Sequence, residues 1–243
     1  MTSEDVVPAE LRRLWGRSEP ARLGRPAELD VERVVAAAVA LADRDGLAGV
    51  TLPKVAKALG FTSMSLYRYV GSKDELLVLM GDAALGDPPE IGATSWRAGL
   101  REWARAQWEV CRRRPWLARL PLPGPPPGPH HVAWMEVALR VLRGTGLGWA
   151  EKLGVLGLIG GYVRQNSLQA QDFATARAEG QDQADVERDY GRALSRLVDP
   201  DRFPEAAELF ASGVFEDPPP DGADDEFTFG LELILDGVAA AVR

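Results

Sequence analysis

An all-α fold is what this sequence predicts: a small head carrying a helix-turn-helix, followed by a larger helical domain. Three observations carry that expectation. Apolar residues recur at three- and four-residue spacing along most of the chain, no stretch alternates with the two-residue period of a strand, and Gly, Pro and capping residues punctuate runs of helical length. With 243 residues the chain can bury a substantial core in one large or two modest domains.

Residues 1–29 show no sustained period and carry Arg12, Arg13, Arg17, Arg22 and Arg25 among Gly and Pro, which predicts a flexible basic arm. The first firm helix starts at an Asp30 N-cap and runs through Val31, Val34, Val35, Ala38, Val39 and Ala42 until Gly46 stops it. Thr51 caps the next, with Leu52, Val55, Ala56 and Leu59 on one face, Pro53 in the first turn and Gly60 beyond the end. In FTSMSLYRYV, 61–70, Leu66, Tyr69 and Val70 can turn inward while Ser63, Ser65, Tyr67 and Arg68 turn outward. Ser72 and Glu75 then form a capping box for a fourth helix through Leu76, Leu77, Met80 and Ala84. Two helices of about eight residues joined by a tight Gly-containing turn are the helix-turn-helix signature, which places the head at residues 30–86.

The segment GDPPEIGATS, 86–95, breaks the pattern and marks the change to a second domain, 95–243. Helices are predicted there over 95–114 and 130–143, around a stiff Pro-rich connection at 121–129, then from Trp149 to about Ala178 and over 182–198, 204–215 and 226–242. Gly154, Gly157, Gly160 and Gly161 would each weaken the long helix by about 1 kcal/mol in isolation, so that face is expected to lie against a neighbouring helix.

Charge is unevenly placed. Residues 11–73 carry a net of +5 and residues 200–243 a net of -9, within a total of -8. A basic head can meet a polyanion while the acidic remainder faces away, so the overall charge does not exclude nucleic acid. The single Cys111 cannot form an intramolecular disulfide and the acidic N-terminus lacks a signal peptide's apolar core, which points to the cytoplasm. The longest nearly apolar run, 153–163, is well short of the ~18 residues that a membrane span needs, so no membrane partner is expected.

A short helix anchored by one apolar edge and offering Ser, Tyr and Arg suits the major groove. Hydroxyls reach base edges, Arg takes guanine or a phosphate, and Tyr touches a thymine methyl or a phosphate. Lys73, opening the next helix, adds a cation beside free backbone N–H groups where a phosphate can dock. On these residues alone, a packing role for Tyr67 and Tyr69 with a solvated Arg68 stays open.

The whole stretch LDVERVVAAAVALADRDGLAGVTLPKVAKALGFTSMSLYRYVGSKDELL resembles the DNA-binding domain of the tetracycline-repressor (TetR) family, in the order Thr, Ala, Leu-Gly, Leu-Tyr, Val, Lys. The preceding RLGRP is similar to the family's basic arm, and SWRAGLREWARA (95–106) and FTFGLELILDG (227–237) look like the ligand-binding and dimerisation half of the tetracycline-repressor branch. The resemblance implies that Ser63, Met64, Ser65, Tyr67 and Arg68 meet double-stranded DNA and that Thr51 and Lys73 hold phosphates. Pro53 stands where the tetracycline repressors carry a guanine-reading arginine, which implies a different operator, with Lys54 on the backbone instead.

The expected function is a homodimeric, ligand-responsive repressor whose heads occupy successive major grooves of a pseudo-palindromic operator, released when the fourth helix tilts. Phe227, Leu231, Ile234, Val238 and Ala241 form one stripe of the last helix; Gly230, Leu233, Gly237 and Ala240 form a second. One serves the core and the other, with Gly157, Gly160 and Gly161 of the long helix, is the expected dimer interface, as in the family it resembles. At the positions where that branch holds a magnesium-chelated drug this chain carries Pro89, Trp103, Gln107 and Ala138, with Leu120 or its neighbours in place of a histidine. The expected effector is therefore an apolar or aromatic small molecule bound without magnesium or any other cofactor. Trp103, Trp134 and Tyr162 would stack on it beside Ala138, with Gln107 and Asn166 as orienting groups; the competing reading is that these aromatics fill the core.

Other features carry less. His130 and His131 make a poor metal set, with few carboxylates nearby and side chains about 100° apart on a helix. Cys111 is expected to be a small core residue. No P-loop, nucleophile-base pair or HExxH cluster is present, so no catalytic residue is expected. Two rivals nevertheless stay open: a helical small-molecule enzyme with a vestigial head, and an architectural DNA-binding protein without an effector.

Overall fold

The computed structural model describes residues 7–17, 29–122, 124, 125, 127–176, 182–216 and 222–242, and every regular element among them is a helix. The chain forms two compact units. One comprises Met1–Ser167 with Val238–Arg243, the other Leu168–Gly237.

The first unit opens with α1 (Ala9–Leu14), a departure from the arm expected to be without structure. Its Arg13 forms a bidentate pair with Glu75 at 2.6 and 2.8 Å, and Trp15 donates from Nε1 to the Pro127 carbonyl at 2.9 Å. Tertiary contacts thus order a segment that has too few residues to hold a helix alone. Arg22 and Arg25 lie outside the described residues.

The head is built of α2 (Val31–Asp45), α3 (Leu52–Leu59), α4 (Ser63–Leu66) and α5 (Lys73–Leu85). Each start is capped as the sequence implies: Asp30, Thr51 and Ser72 accept from the N–H groups of Arg33, Lys54 and Glu75. Gly60 ends α3 in the left-handed conformation, φ 77°. The second helix of the motif is shorter than the eight residues expected: α4 gives way to a tight turn in which Tyr69 and Val70 both donate to the Leu66 carbonyl. Val34, Ala38, Val50, Val55, Leu66, Val70, Leu76 and Met80 form the core of the head.

That core continues into the residues after α6 (Trp96–Arg113). Trp116 and Leu120 join it, Trp116 donates to Asp43 at 2.7 Å, and Arg114 donates to the Ala84 carbonyl at 2.8 Å. The break at 86–95 therefore separates helices without separating packing. α5 is buried around most of its circumference, as a helix apolar on all sides must be. α7 (Pro129–Val141) and the first part of α8 (Trp149–Ala176) complete the unit. The predicted end of α8 beyond Ala176 lies outside the described residues.

In the second unit, α9 (Gln183–Leu197) and α10 (Pro204–Ala211) meet through an aromatic cluster of Tyr190, Phe210 and Phe215 with ring centroids 5.5–5.8 Å apart. A Cβ at Gly191 would collide with the Phe215 ring, so the small residue permits this packing. α10 stops four residues before its predicted end, in a turn where Gly213 adopts φ 80°. α11 (Gly222–Ala241) starts earlier than predicted; its part in this unit buries Phe227, Leu231 and Leu235, and its buried Val238 belongs to the first unit.

Candidate DNA-reading surface and effector cavity

The outer end of the head gathers the residues expected at DNA. Leu66 and Val70 are fully buried and anchor the short helix, while Met64 is 76% and Tyr67 50% exposed, with Arg68 beside them. Ser63 and Ser65 are half-buried, and the Ser65 hydroxyl lies 2.9 Å from that of Thr62. Lys54 and Lys73 are exposed in the first turns of α3 and α5. Among the described residues neither Arg68 nor Lys73 is held in an ion pair, so both cations remain available. The turn between α4 and α5 is stiffened by Glu75, whose carboxylate accepts from Gly71 N–H at 2.8 Å as well as from Arg13. Tyr69 packs against the core, dividing the two tyrosines into one exposed and one supporting residue.

Behind the head lies a cavity of about 390 Å³. Its walls come from α5, α6, the connection 117–128, the start of α7, and α8. Leu77, Leu85, Val110, Leu117, Leu120 and Val163 make the lining largely apolar; Asp82, Gln107, Cys111, His131 and Arg164 supply its side-chain polar groups. The Pro-rich connection is more than a spacer, because Pro121, Pro125 and Pro127 are part of the wall. Pro123 and Pro126 lie outside the described residues.

Of the six residues expected to contact an effector, only Gln107 faces this cavity. Trp103 and Trp134 are core residues instead. Trp103 donates from Nε1 to the Trp134 carbonyl at 3.0 Å and Trp134 donates to the Gly86 carbonyl at 2.9 Å, so both indoles spend their polar edge on backbone. Ala138 is fully buried among them on α7, and Tyr162 and Asn166 are absent from the lining; Asn166 donates to the Tyr162 carbonyl at 2.8 Å. The aromatics at 103 and 134 thus fill the core rather than stack on a ligand. Gly160, expected at a dimer interface, belongs to the cavity wall: a Cβ there would meet Gln107 Oε1 at 4.0 Å. Gly157, Gly161, Leu233, Gly237 and Ala240, expected at a dimer interface, are exposed.

Asp82 is the electrostatic centre of the site. It is 3% exposed and receives four donors from the first turn of α7: the backbone N–H groups of His130 and His131 at 3.3 and 3.0 Å, and their Nδ1 atoms at 2.9 and 2.8 Å. Burial by itself would raise the Asp82 pKa. Hydrogen bonds from His131 and then His130 outweigh that and lower it to about 2, so the carboxylate is charged at neutral pH. The two adjacent imidazoles, expected to point about 100° apart with few carboxylates nearby, converge on one oxygen pair because Asp82 caps their helix. A Cβ at Gly128 would overlap the carboxylate, which is why glycine precedes α7. Cys111 is half-buried on the cavity wall rather than in the core; burial pushes its thiol pKa up against a hydrogen bond with Ser167 and the charge of Arg164.

The family model described as "Tetracyclin repressor-like, C-terminal domain" matches residues 88–242, and that described as "Bacterial regulatory proteins, tetR family" matches residues 34–80. The chain belongs to the TetR family of transcriptional regulators. It is 36% identical over 239 residues to the HTH-type transcriptional repressor DrrR1 of Streptomyces coeruleorubidus, covering 96% of this chain and 85% of that one. An HTH-type transcriptional regulator of Saccharopolyspora erythraea is 31% identical over 232 residues, covering 93% and 91%. The structure of the TetR family protein ActR from Streptomyces coelicolor in complex with actinorhodin superposes with a TM-score of 0.74 at 27% identity, over 89% of this chain and 98% of that one. No helix among the described residues is long and apolar enough to cross a membrane.

Two charged side chains on the cavity wall of this TetR-family regulator, Asp82 and Arg164, are not among the residues expected from the sequence, although each carries a signal there. Asp82 is the only charged residue between Leu76 and Leu85, and Arg164 the only one between Leu153 and Gln171. A lone charge in an otherwise uncharged helical stretch needs a partner when it is buried. Its partner, however, is far away in sequence: Asp82 meets residues 48 and 49 positions later, and Arg164 donates to carbonyls 46 and 44 positions earlier.

Proposed function

We propose that the chain is a homodimeric repressor that acts in the cytoplasm and leaves a pseudo-palindromic operator when an apolar or aromatic small molecule enters the cavity behind its head. The observation that carries this reading is the double role of α5. Lys73 opens the helix at the DNA-reading end, while Leu77, Asp82 and Leu85 of the same helix line the cavity. A ligand that rearranges this wall moves the reading surface with it. In the dimer the heads must match a spacing of about 34 Å, so a modest tilt of α5 suffices to spoil the fit.

Thr51, Lys54, Ser63, Met64, Ser65, Tyr67, Arg68 and Lys73 are the proposed DNA contacts, and residues 30–86 and 95–243 the proposed functional halves. The largely apolar lining, with Asp82 already taken up by four hydrogen bonds from His130 and His131, favours a flat ring system over a magnesium-bound drug. The ActR complex with actinorhodin, at 27% identity, supports a small-molecule effector. Exposed apolar stripes on α8 (Trp149, Leu153, Gly157, Gly161) and on α11 (Phe229, Leu233, Gly237, Ala240) support dimerisation.

A footprint of the purified protein on the DNA upstream of its own gene, repeated with a panel of hydrophobic aromatic compounds and with magnesium-tetracycline, tests the reading. Protection of a two-fold symmetric site, lifted by one or more of the aromatic compounds, is expected. Protection that no compound alters would remove the effector, and magnesium-dependent release by tetracycline would overturn the proposed ligand class.

A further inference from the structure

The polar groups of the cavity are unbalanced in kind. Gln107 projects from α6 with its Nε2 fully buried and without a hydrogen-bond acceptor among the described residues. An unsatisfied buried N–H is costly, and proteins rarely keep one without an acceptor from a bound water, ion or ligand. One α8 turn from Gly160, which lies against Gln107 Oε1, stands Arg164. The two side chains therefore face the same stretch of wall.

Arg164 is held rigidly. Its Nε and Nη2 donate at 2.9 Å to the carbonyls of Ala118 and Leu120, which fixes the plane of the guanidinium and leaves Nη1 without an acceptor among the described residues. No carboxylate among the described residues pairs with it. Asp82, the one acidic side chain on the wall, is already saturated by four donors from His130 and His131. Arg164 and Gln107 thus leave a cation without a carboxylate partner and an amide N–H without an acceptor, among the described residues, beside a largely apolar space.

We propose that the effector is a flat apolar molecule bearing one carboxylate, with the carboxylate seated on Arg164 and Gln107 Nε2 and the ring body among Leu77, Leu117 and Val163. This rests on the reading of the cavity as the effector site. A single negative charge neutralises the guanidinium and satisfies the amide through charge-assisted hydrogen bonds. A dianion such as a phosphate would bury a second charge without a partner, and a neutral ring would leave the guanidinium uncompensated.

The test uses the full-length protein with three probes of one shape: anthraquinone-2-carboxylate, its methyl ester and unsubstituted anthraquinone. Calorimetric titration at neutral pH is expected to show the acid binding at least about tenfold tighter than either neutral probe. Gln107→Glu keeps the shape of the side chain but replaces the donor by a negative charge; it is expected to weaken the acid by about tenfold or more and the ester by far less. Retained ester binding also shows that the variant cavity is intact. Neutral probes that bind the wild type as well as the acid does, or acid binding indifferent to Gln107→Glu, overturn the carboxylate assignment and leave the effector reading standing. Failure of all three probes to bind brings down the effector reading and this proposal with it.

Discussion

Four donors on one carboxylate make Asp82 the residue with most to lose. Asp82→Ala strips the cap from α7 and leaves two backbone N–H groups and two imidazoles without their acceptor. A loss on the order of 2–3 kcal/mol is expected in urea melts at pH 7. The folded pKa of about 2 lies below the ordinary carboxylate value near 3.8. The ionised form is therefore the one that folding favours, and its contribution, on the order of 2 kcal/mol, is complete above about pH 4 and vanishes as pH falls through 2. The gap in stability between wild type and Asp82→Ala should shrink across that interval; a constant gap from pH 5 to pH 2 would contradict the assignment. At the reading surface, Arg68→Ala is expected to cost ~1–3 kcal/mol and to relax base preference, whereas Lys73→Ala should weaken all sequences alike and lower the salt slope by about one. Operator titrations at several salt concentrations separate the two roles.

At the scale of elements, the uncovered stripes of α8 and α11 carry the strongest prediction. Phe229 and Leu233 are 69% and 57% exposed on α11, and Trp149 is 73% exposed on α8. Glycines along the α8 face have open space where a Cβ would stand, so their helix-weakening cost is not offset by packing within the described residues of one chain. Leu233→Glu is expected to shift sedimentation at micromolar concentration from dimer to monomer and to abolish cooperative operator binding; an unchanged dimer would move the interface elsewhere. α1 shows a different dependence. Its short helix exists through Arg13 on Glu75 and Trp15 on the Pro127 carbonyl, partners 62 and 112 residues away. Nothing in the local pattern of residues 1–29 announces either contact, which is why the segment reads as an arm in the sequence.

For the molecule as a whole, the proposed mechanism is a linkage between two sites through α5. An effector that weakens operator binding by a given factor must itself bind the operator-bound protein more weakly by the same factor, with about 5–150-fold typical of such coupling. Titrating one aromatic effector into free and into operator-bound protein checks this reciprocity. Equal effector affinities for free and operator-bound protein would show that any release does not come from effector binding to the protein, and would overturn the linkage. The uneven charge belongs to this scale too: residues 11–73, with a net of +5, favour approach to DNA, while residues 200–243, with a net of -9, oppose it.

Helical class, the caps at Asp30, Thr51 and Ser72, the stop at Gly46, the inward set of Leu66 and Val70 and the outward set of Tyr67 and Arg68 were all legible in the sequence, because each depends on residues within about four positions of one another. The cavity was not. Trp103 and Trp134 have the chemistry of ligand-stacking residues, and only the packing of α7 against α6 and the end of α5 spends their N–H groups on backbone carbonyls and closes them into the core. Conversely, Asp82, Arg164 and the Pro-rich connection became parts of one wall when α5, α8 and residues 117–128 came together. Local periodicity determines which side of a helix is apolar; which apolar side meets a neighbour and which bounds a cavity is decided by contacts tens of residues apart, where the sequence carries no spacing rule to read.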